Sequence, residues 1–142
     1  MTIRAILANK GSEVLTLSVN ATVMEAIDLL AAKRIGALPV VDGGKVVGIM
    51  SERDVIYCLR SDGAQILDWP VTRVMTAPAI TVTREISVLA ALSQMTKRRI
   101  RHLPVVEDDE LIGLVSIGDL VKYRMDRIQQ EAEAMRAYIT NG

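Results

Sequence analysis

A chain of 142 residues that is 50% hydrophobic and 24% charged is sized for one folded core, or for two very small ones pressed together. Its 17 basic and 17 acidic residues cancel, which argues against the broad electrostatic attraction that holds nucleic acid or an anionic membrane surface. Aromatics supply 3% with no Phe, so the core is aliphatic, and the single Cys58 excludes an internal disulfide and has no companions at metal-ligand spacing.

The N-terminal MTIRAILANKGSE carries no long apolar run and no small-residue cleavage site. Nowhere does the chain approach the roughly 20 apolar residues that span a bilayer, so the expectation is a soluble, untargeted, cytoplasmic protein. A short extended piece, VLTL (14–17), leads to a helix opened by Thr22 with Glu25 three residues on, the spacing of a capping box. Val23, Ala26, Ile27, Leu29 and Leu30 form its apolar face. ALPVV (37–41) is rich in β-branched residues and reads as a strand, whose Pro39 belongs at the strand start or at an edge. The polar turn DGGK (42–45) and the strand VVGIM (46–50) complete a hairpin. Ser51-x-x-Asp54 then opens a helix bearing Val55, Ile56 and Leu59, and RSDGAQILDWPV (60–71) is a connector with its boundary at Trp69-Pro70.

The order then recurs. AITV (79–82) precedes a helix with Val88, Leu89, Leu92 and Met95; HLPVV, EDDE and LIGLV repeat the hairpin, and Ser116-x-x-Asp119 opens the helix of Leu120, Val121 and Tyr123. A charged helix from Asp126 to Thr140, with a weak apolar stripe of Ile128, Met135 and Ile139, either packs on the core or meets a partner. Shifted by 65 positions, residues 16–55 lie on residues 81–120 without a gap, with twelve identities in forty positions. Upstream, TIRAIL (2–7) echoes VTRVMT (71–76) once four extra residues are allowed in the first copy. The period is too long for a solenoid unit and marks a duplicated domain. The predicted fold is α/β (α+β), two β-α-β-β-α repeats packed as a pseudo-twofold pair, since a unit of about 60 residues has a marginal core alone. The expected boundaries are 1–62 for the first repeat, 63–69 for the linker, 70–125 for the second repeat and 126–142 for the C-terminal helix.

Two readings of the repeated Ser-x-x-Asp stand together: a helix N-cap worth about 1 kcal/mol, and a ligand contact at a helix N-terminus. No G-x-G-x-x-G or Walker sequence is present, and His102 has no nucleophile or second acid spaced to make it a catalytic base. No enzyme is predicted. The basic run Arg98-Arg99-Ile100-Arg101-His102 ends at a strand entry, which separates Arg101 and His102 from an ordinary solvated face.

The doubled phrase, LPVV followed by Gly-x-x-Ser-x-x-Asp, resembles the CBS domain, named after cystathionine β-synthase, and covers all but the C-terminal helix. A tandem pair of this kind is often called a Bateman module. The resemblance implies a disc-like pair of units, commonly doubled into a homodimer, without catalytic activity. It implies binding of adenosine-containing ligands (AMP, ADP, ATP, NAD, S-adenosylmethionine) between the units, with no metal required. In that family the Asp accepts from the ribose hydroxyls, the Ser region faces phosphate, and basic residues before LPV of the other unit complete the site.

Carried onto this chain, the resemblance implies two clefts. In the first, Ser51, Arg53 and Asp54 face Thr81, Ile100, Arg101 and His102, with Pro104 at the strand entry. In the second, Ser116, Gly118 and Asp119 face Thr16, Ile35, Gly36 and Ala37, with Pro39 in the corresponding place. The first cleft is charged and suits a phosphate with a diol. The second departs from the phosphate pattern, and Lys122 and Arg124 are the cations nearest to it in sequence. The expectation is a ligand sensor taking AMP first and NAD(H) or ATP next, its output lying in an effector protein encoded elsewhere. The alternative is a dimerising partner-interaction module with degenerate clefts.

Overall fold

Two β-hairpins with the same register, 65 residues apart, frame the molecule, which a computed structural model describes over residues 1–11 and 13–141. The first pairs β2 (Ala37–Asp42) with β3 (Lys45–Ser51), and the second pairs β4 (His102–Glu107) with β5 (Glu110–Ser116). Both turns need positive φ at two central residues. Gly43 and Gly44 supply it in the first turn, and Asp108 and Asp109, short polar residues that tolerate the left-handed region, supply it in the second. A bulge falls at the same place in each, between Val40 and Val41 and between Val105 and Val106.

Helices α2 (Val23–Lys33) and α4 (Val88–Arg98) start on Thr22 and Ser87, whose side chains accept the backbone N–H of Glu25 and Ala90. At Thr22 that is half of the expected capping box. Both end on a left-handed arginine, Arg34 or Arg99. Helix α3 (Glu52–Asp62) follows β3 directly, and α5 (Ile117–Asn141) follows β5 directly. The expected helices on either side of residue 126 are therefore one continuous helix of 25 residues, and Gly142 lies outside the described residues.

Two of the extended pieces are weaker than expected. Of VLTL only Leu17 lies in a strand, β1 (Leu17–Ser18), parallel to β2, and AITV forms a single bridge between Val82 and Val105 rather than a strand. The second sheet is accordingly two-stranded. Pro39 sits within β2 but before its pairing with β1 begins at Val40, so its missing N–H leaves no ladder bond unmade.

The cores cross the sequence boundaries. Helix α1 (Ile3–Lys10) packs Ile3 and Ile6 into the second repeat's core with Val88, Leu103, Val115 and Leu120. The segment after the connector packs Val71 and Val74 into the first core with Leu38, Val40 and Met50. The connector is itself structured, a 3₁₀ turn over Gly63–Asp68 with Ile66 fully buried. Each repeat is thus completed by the segment that precedes the other, and that exchange brings Lys10 and Thr76 to the site.

Candidate functional site

Where β3 runs into α3, Ser51 caps the helix in a reciprocal box. Its Oγ accepts the Asp54 N–H at 3.2 Å, and Asp54 Oδ2 accepts from Ser51 N at 3.0 Å and from Ser51 Oγ at 2.9 Å. The other carboxylate oxygen, Oδ1, accepts the Thr76 hydroxyl at 2.9 Å. Capping fixes the carboxylate, which still faces a cleft of about 170 Å³ between the repeats.

The cleft has an apolar wall of Ile49, Pro78, Ala79, Ile80, Ile100 and Pro104. Its polar side carries Ser51, Asp54, Arg53, Arg101 and His102. Arg53 is held across the repeat boundary by donating to the Arg99 carbonyl at 3.1 Å. The structure therefore brings together Ser51, Arg53, Asp54, Ile100, Arg101, His102 and Pro104, as the sequence placed them. It does not bring Thr81, which lines a separate groove with Thr83, Glu85 and Asp108. Its neighbour Ile80 faces the cleft instead, as alternation along an extended segment requires.

Three features were missing from the sequence reading. Thr76, on a segment remote from the Ser-x-x-Asp phrase, bonds the carboxylate; its one signal was the end of the 71–76 echo. Glu52 adds a second carboxylate to the cleft wall, so the site is not a single carboxylate among cations. Gly36 and Ala37, assigned to the second cleft, line the first. A Cβ on Gly36 would lie 3.3 Å from His102 Cε1, close enough to displace that ring by a few tenths of an ångström, and at ordinary contact distance, 3.5 Å, from Glu52 Oε1.

His102 is half-buried, lines the first cleft and lies near enough to Lys10 and Asp119 at the second site to feel their charges. Burial and then the Lys10 charge push its pKa below the ordinary value; Glu52 and Asp119 oppose this and Arg101 adds to it. Both the burial and the Lys10 charge favour the neutral imidazole.

The second site has the same cap. Asp119 Oδ2 accepts the Ser116 N–H at 2.9 Å, and Ser116 Oγ accepts the Asp119 N–H at 3.1 Å. Its carboxylate, however, is taken: Lys10 Nζ donates to Asp119 Oδ2 at 2.6 Å and to the Leu114 carbonyl at 2.8 Å. The cation on this site is Lys10 rather than Lys122 or Arg124. Burial raises the Asp119 pKa, but the Lys10 hydrogen bond, the Ser116 N–H, the Lys10 charge and the Ser116 hydroxyl outweigh it and hold the carboxyl below its usual range. The remaining residues assigned here are dispersed. Thr16 lines a surface groove with Ser18 and Asn20, and Ile35 lines another with Ile27 and Val55. Pro39 is buried in β2, and Gly118 is exposed on α5.

Among the described residues no three His, Cys, Asp or Glu side chains are grouped to hold a metal ion, and no helix is long and apolar enough to cross a membrane. The free Cys58 is half-buried, and burial, then Asp54 and Asp62, push its thiol pKa up.

Paired repeats with a capped carboxylate at each interface define a tandem module, and the family follows from comparison. The chain matches the family model for the CBS domain over residues 5–61 and 71–126, and it belongs to the CBS-domain family. It is 38% identical over 126 residues to the CBS domain-containing protein CBSX3, mitochondrial, of Arabidopsis thaliana, covering 85% of this chain and 61% of that one. It is similar to the CBS-domain containing protein ATU1752 from Agrobacterium tumefaciens, with a TM-score of 0.84 and 35% identity over 87% of this chain and 99% of that one. It also resembles the CBS domain pair of protein MJ0100, solved in complex with 5′-methylthioadenosine and S-adenosyl-L-methionine, with a TM-score of 0.76 and 28% identity over 87% and 98% of the two chains. The chain spans less than two thirds of its Arabidopsis relative CBSX3 and about a quarter of several longer plant relatives, 23% in one case.

Proposed function

We propose that this chain is a non-enzymatic regulatory module that binds one adenine nucleotide per chain in the first cleft, AMP in preference to NAD(H) or ATP. The observation that carries the reading is the Asp54 carboxylate, held by the Ser51 cap and the Thr76 hydroxyl, opposite Arg53, Arg101 and His102. A fixed carboxylate suits a ribose diol, the apolar wall of Ile80, Ile100 and Pro104 suits a purine face, and the three basic groups suit a short phosphate. The ligands held by the CBS pair of MJ0100 share the adenosine part of this chemistry.

Lys10 on Asp119 supports a stoichiometry of one, because a ribose at the second site must first displace an ammonium. Bound nucleotide stabilises the closed pair by linkage and alters how the repeats and their neighbours sit. The reading is of a cytoplasmic protein acting as a homodimer on a separate effector protein. Equivalent exposed apolar residues support the dimer: Met24 with Leu89, and Ile56 with Val121, each pair 65 positions apart, recur in both repeats.

Calorimetric titration with AMP, ATP and NAD tests the reading. Saturable binding of AMP at one per chain is expected; heat indistinguishable from dilution for all three at millimolar concentration sinks it. A second reading, a partner-interaction module without ligand, is favoured only by the closed second site, and it then becomes the better account.

A further inference from the structure

The far end of α5 is a helix with nothing to pack on. Every described residue from Met125 to Asn141 is exposed. It continues from the packed first turns of α5, which spare it the cost of nucleation, but its apolar residues have no cover within the described chain.

Its exposed apolar residues are spaced for one. Val121, Met125, Ile128, Ala132, Met135 and Ile139 follow one another at intervals of four, three, four, three and four. That is an unbroken 3,4 repeat, the seam of a coiled coil, and it is wider than the three residues that the sequence first suggests. Ile128 is 51% exposed, Met135 60% and Ile139 71%, so the seam is open along its length. We infer that this seam pairs in parallel with the same helix of a second copy of the chain.

The flanking charges choose both the partner and the direction. With Met125, Ala132 and Ile139 at a and Val121, Ile128 and Met135 at d, Glu131 falls at g and Arg136 at e. In a parallel pair, g of one helix meets the e five residues further along the other. Glu131 then faces Arg136 of the second copy, twice by symmetry, and Arg124 faces the neutral Gln129. In the antiparallel register that matches all six seam residues, Glu131 faces Glu131 and Lys122 faces Arg136, so both charge–charge pairs are repulsive. Self-complementary charge in one direction only is what a parallel self-pairing needs.

The inference deepens the homodimer reading, and its test separates the two. The full chain is prepared as Cys58→Ser with Met135→Cys, a surface change on a helix outside both cores. In a glutathione redox buffer, most chains are expected to join through a 135–135 disulfide. Glu131→Lys or Arg136→Glu alone is expected to cut the crosslinking rate about tenfold, and the two together to restore it. A dimer by light scattering that fails to crosslink, or that crosslinks at one rate regardless of these charges, overturns the helix pairing and leaves the dimer. A monomeric mass overturns both.

Discussion

At the second site Lys10 occupies the place that Thr76 occupies at the first. Thr76 satisfies the Ile49 carbonyl with its backbone N–H at 2.9 Å and Asp54 with its hydroxyl at 2.9 Å; Lys10 satisfies the corresponding Leu114 carbonyl and Asp119 with a single ammonium. A hydroxyl brings no charge to Asp54. An ammonium cancels the charge on Asp119. The duplicated phrase has thus diverged through residues outside it.

Lys10→Met removes that ammonium. The pair is partly exposed, so the expected loss is about 1 kcal/mol or less. The clearer readout is acid stability. A carboxyl held below its ordinary pKa contributes stability above that pKa, which is lost as pH falls through the folded value. Thermal melts at pH 7 and pH 3 should therefore differ less in the variant than in the parent, and an unchanged difference would show that Lys10 does not set the Asp119 carboxyl.

His102 gives the opposite kind of group, a base whose folded pKa lies below 6.5. Its neutral form is favoured by folding, so its contribution is complete above pH 6.5 and declines as pH falls from there through the lowered pKa. His102→Gln is expected to flatten the melting temperature over that window. A phosphate in the cleft favours the imidazolium, so AMP binding takes up a proton and is tighter at pH 6 than at pH 8. Calorimetry in two buffers of different ionisation enthalpy measures this, and equal heats would refute it.

Two equivalent glycines should not tolerate alanine equally. A Cβ on Gly48 would meet Met75 Sδ at 2.6 Å and the Thr76 backbone oxygen at 2.9 Å, whereas one on Gly113 would meet only the Leu7 side chain. A flexible side chain yields; the backbone beneath Thr76 does not without moving the Asp54 contact. Gly48→Ala is expected to cost roughly 1–3 kcal/mol in urea denaturation and to weaken AMP binding. Gly113→Ala should cost less, and the reverse order would contradict the account.

The hairpins, caps and repeat were legible because they are written locally: β-branched runs, a two-residue turn, and a Ser three residues before an Asp. AITV failed as a strand because only Val82 pairs, giving and taking one bond on β4. Residue alternation then placed Ile80 rather than Thr81 in the cleft. The exchange of α1 and the 71–76 segment between cores depends on long-range packing of Ile3, Ile6, Val71 and Val74, which have no local signature. With that exchange went Thr76 and Lys10, the residues that most distinguish the two sites. The imbalance of charge was visible in SERD against SIGD, but its main cause was not.

The central claim is that nucleotide binds at Asp54 and not at Asp119, and the most direct measurement is AMP titration of Asp54→Ala and Asp119→Ala beside the parent chain. The account predicts one site in the parent, at least a tenfold loss of affinity in Asp54→Ala with the melt retained, and parent-like affinity in Asp119→Ala. Loss of binding in Asp119→Ala with parent-like binding in Asp54→Ala, or two equal sites each removed by its own substitution, would contradict it.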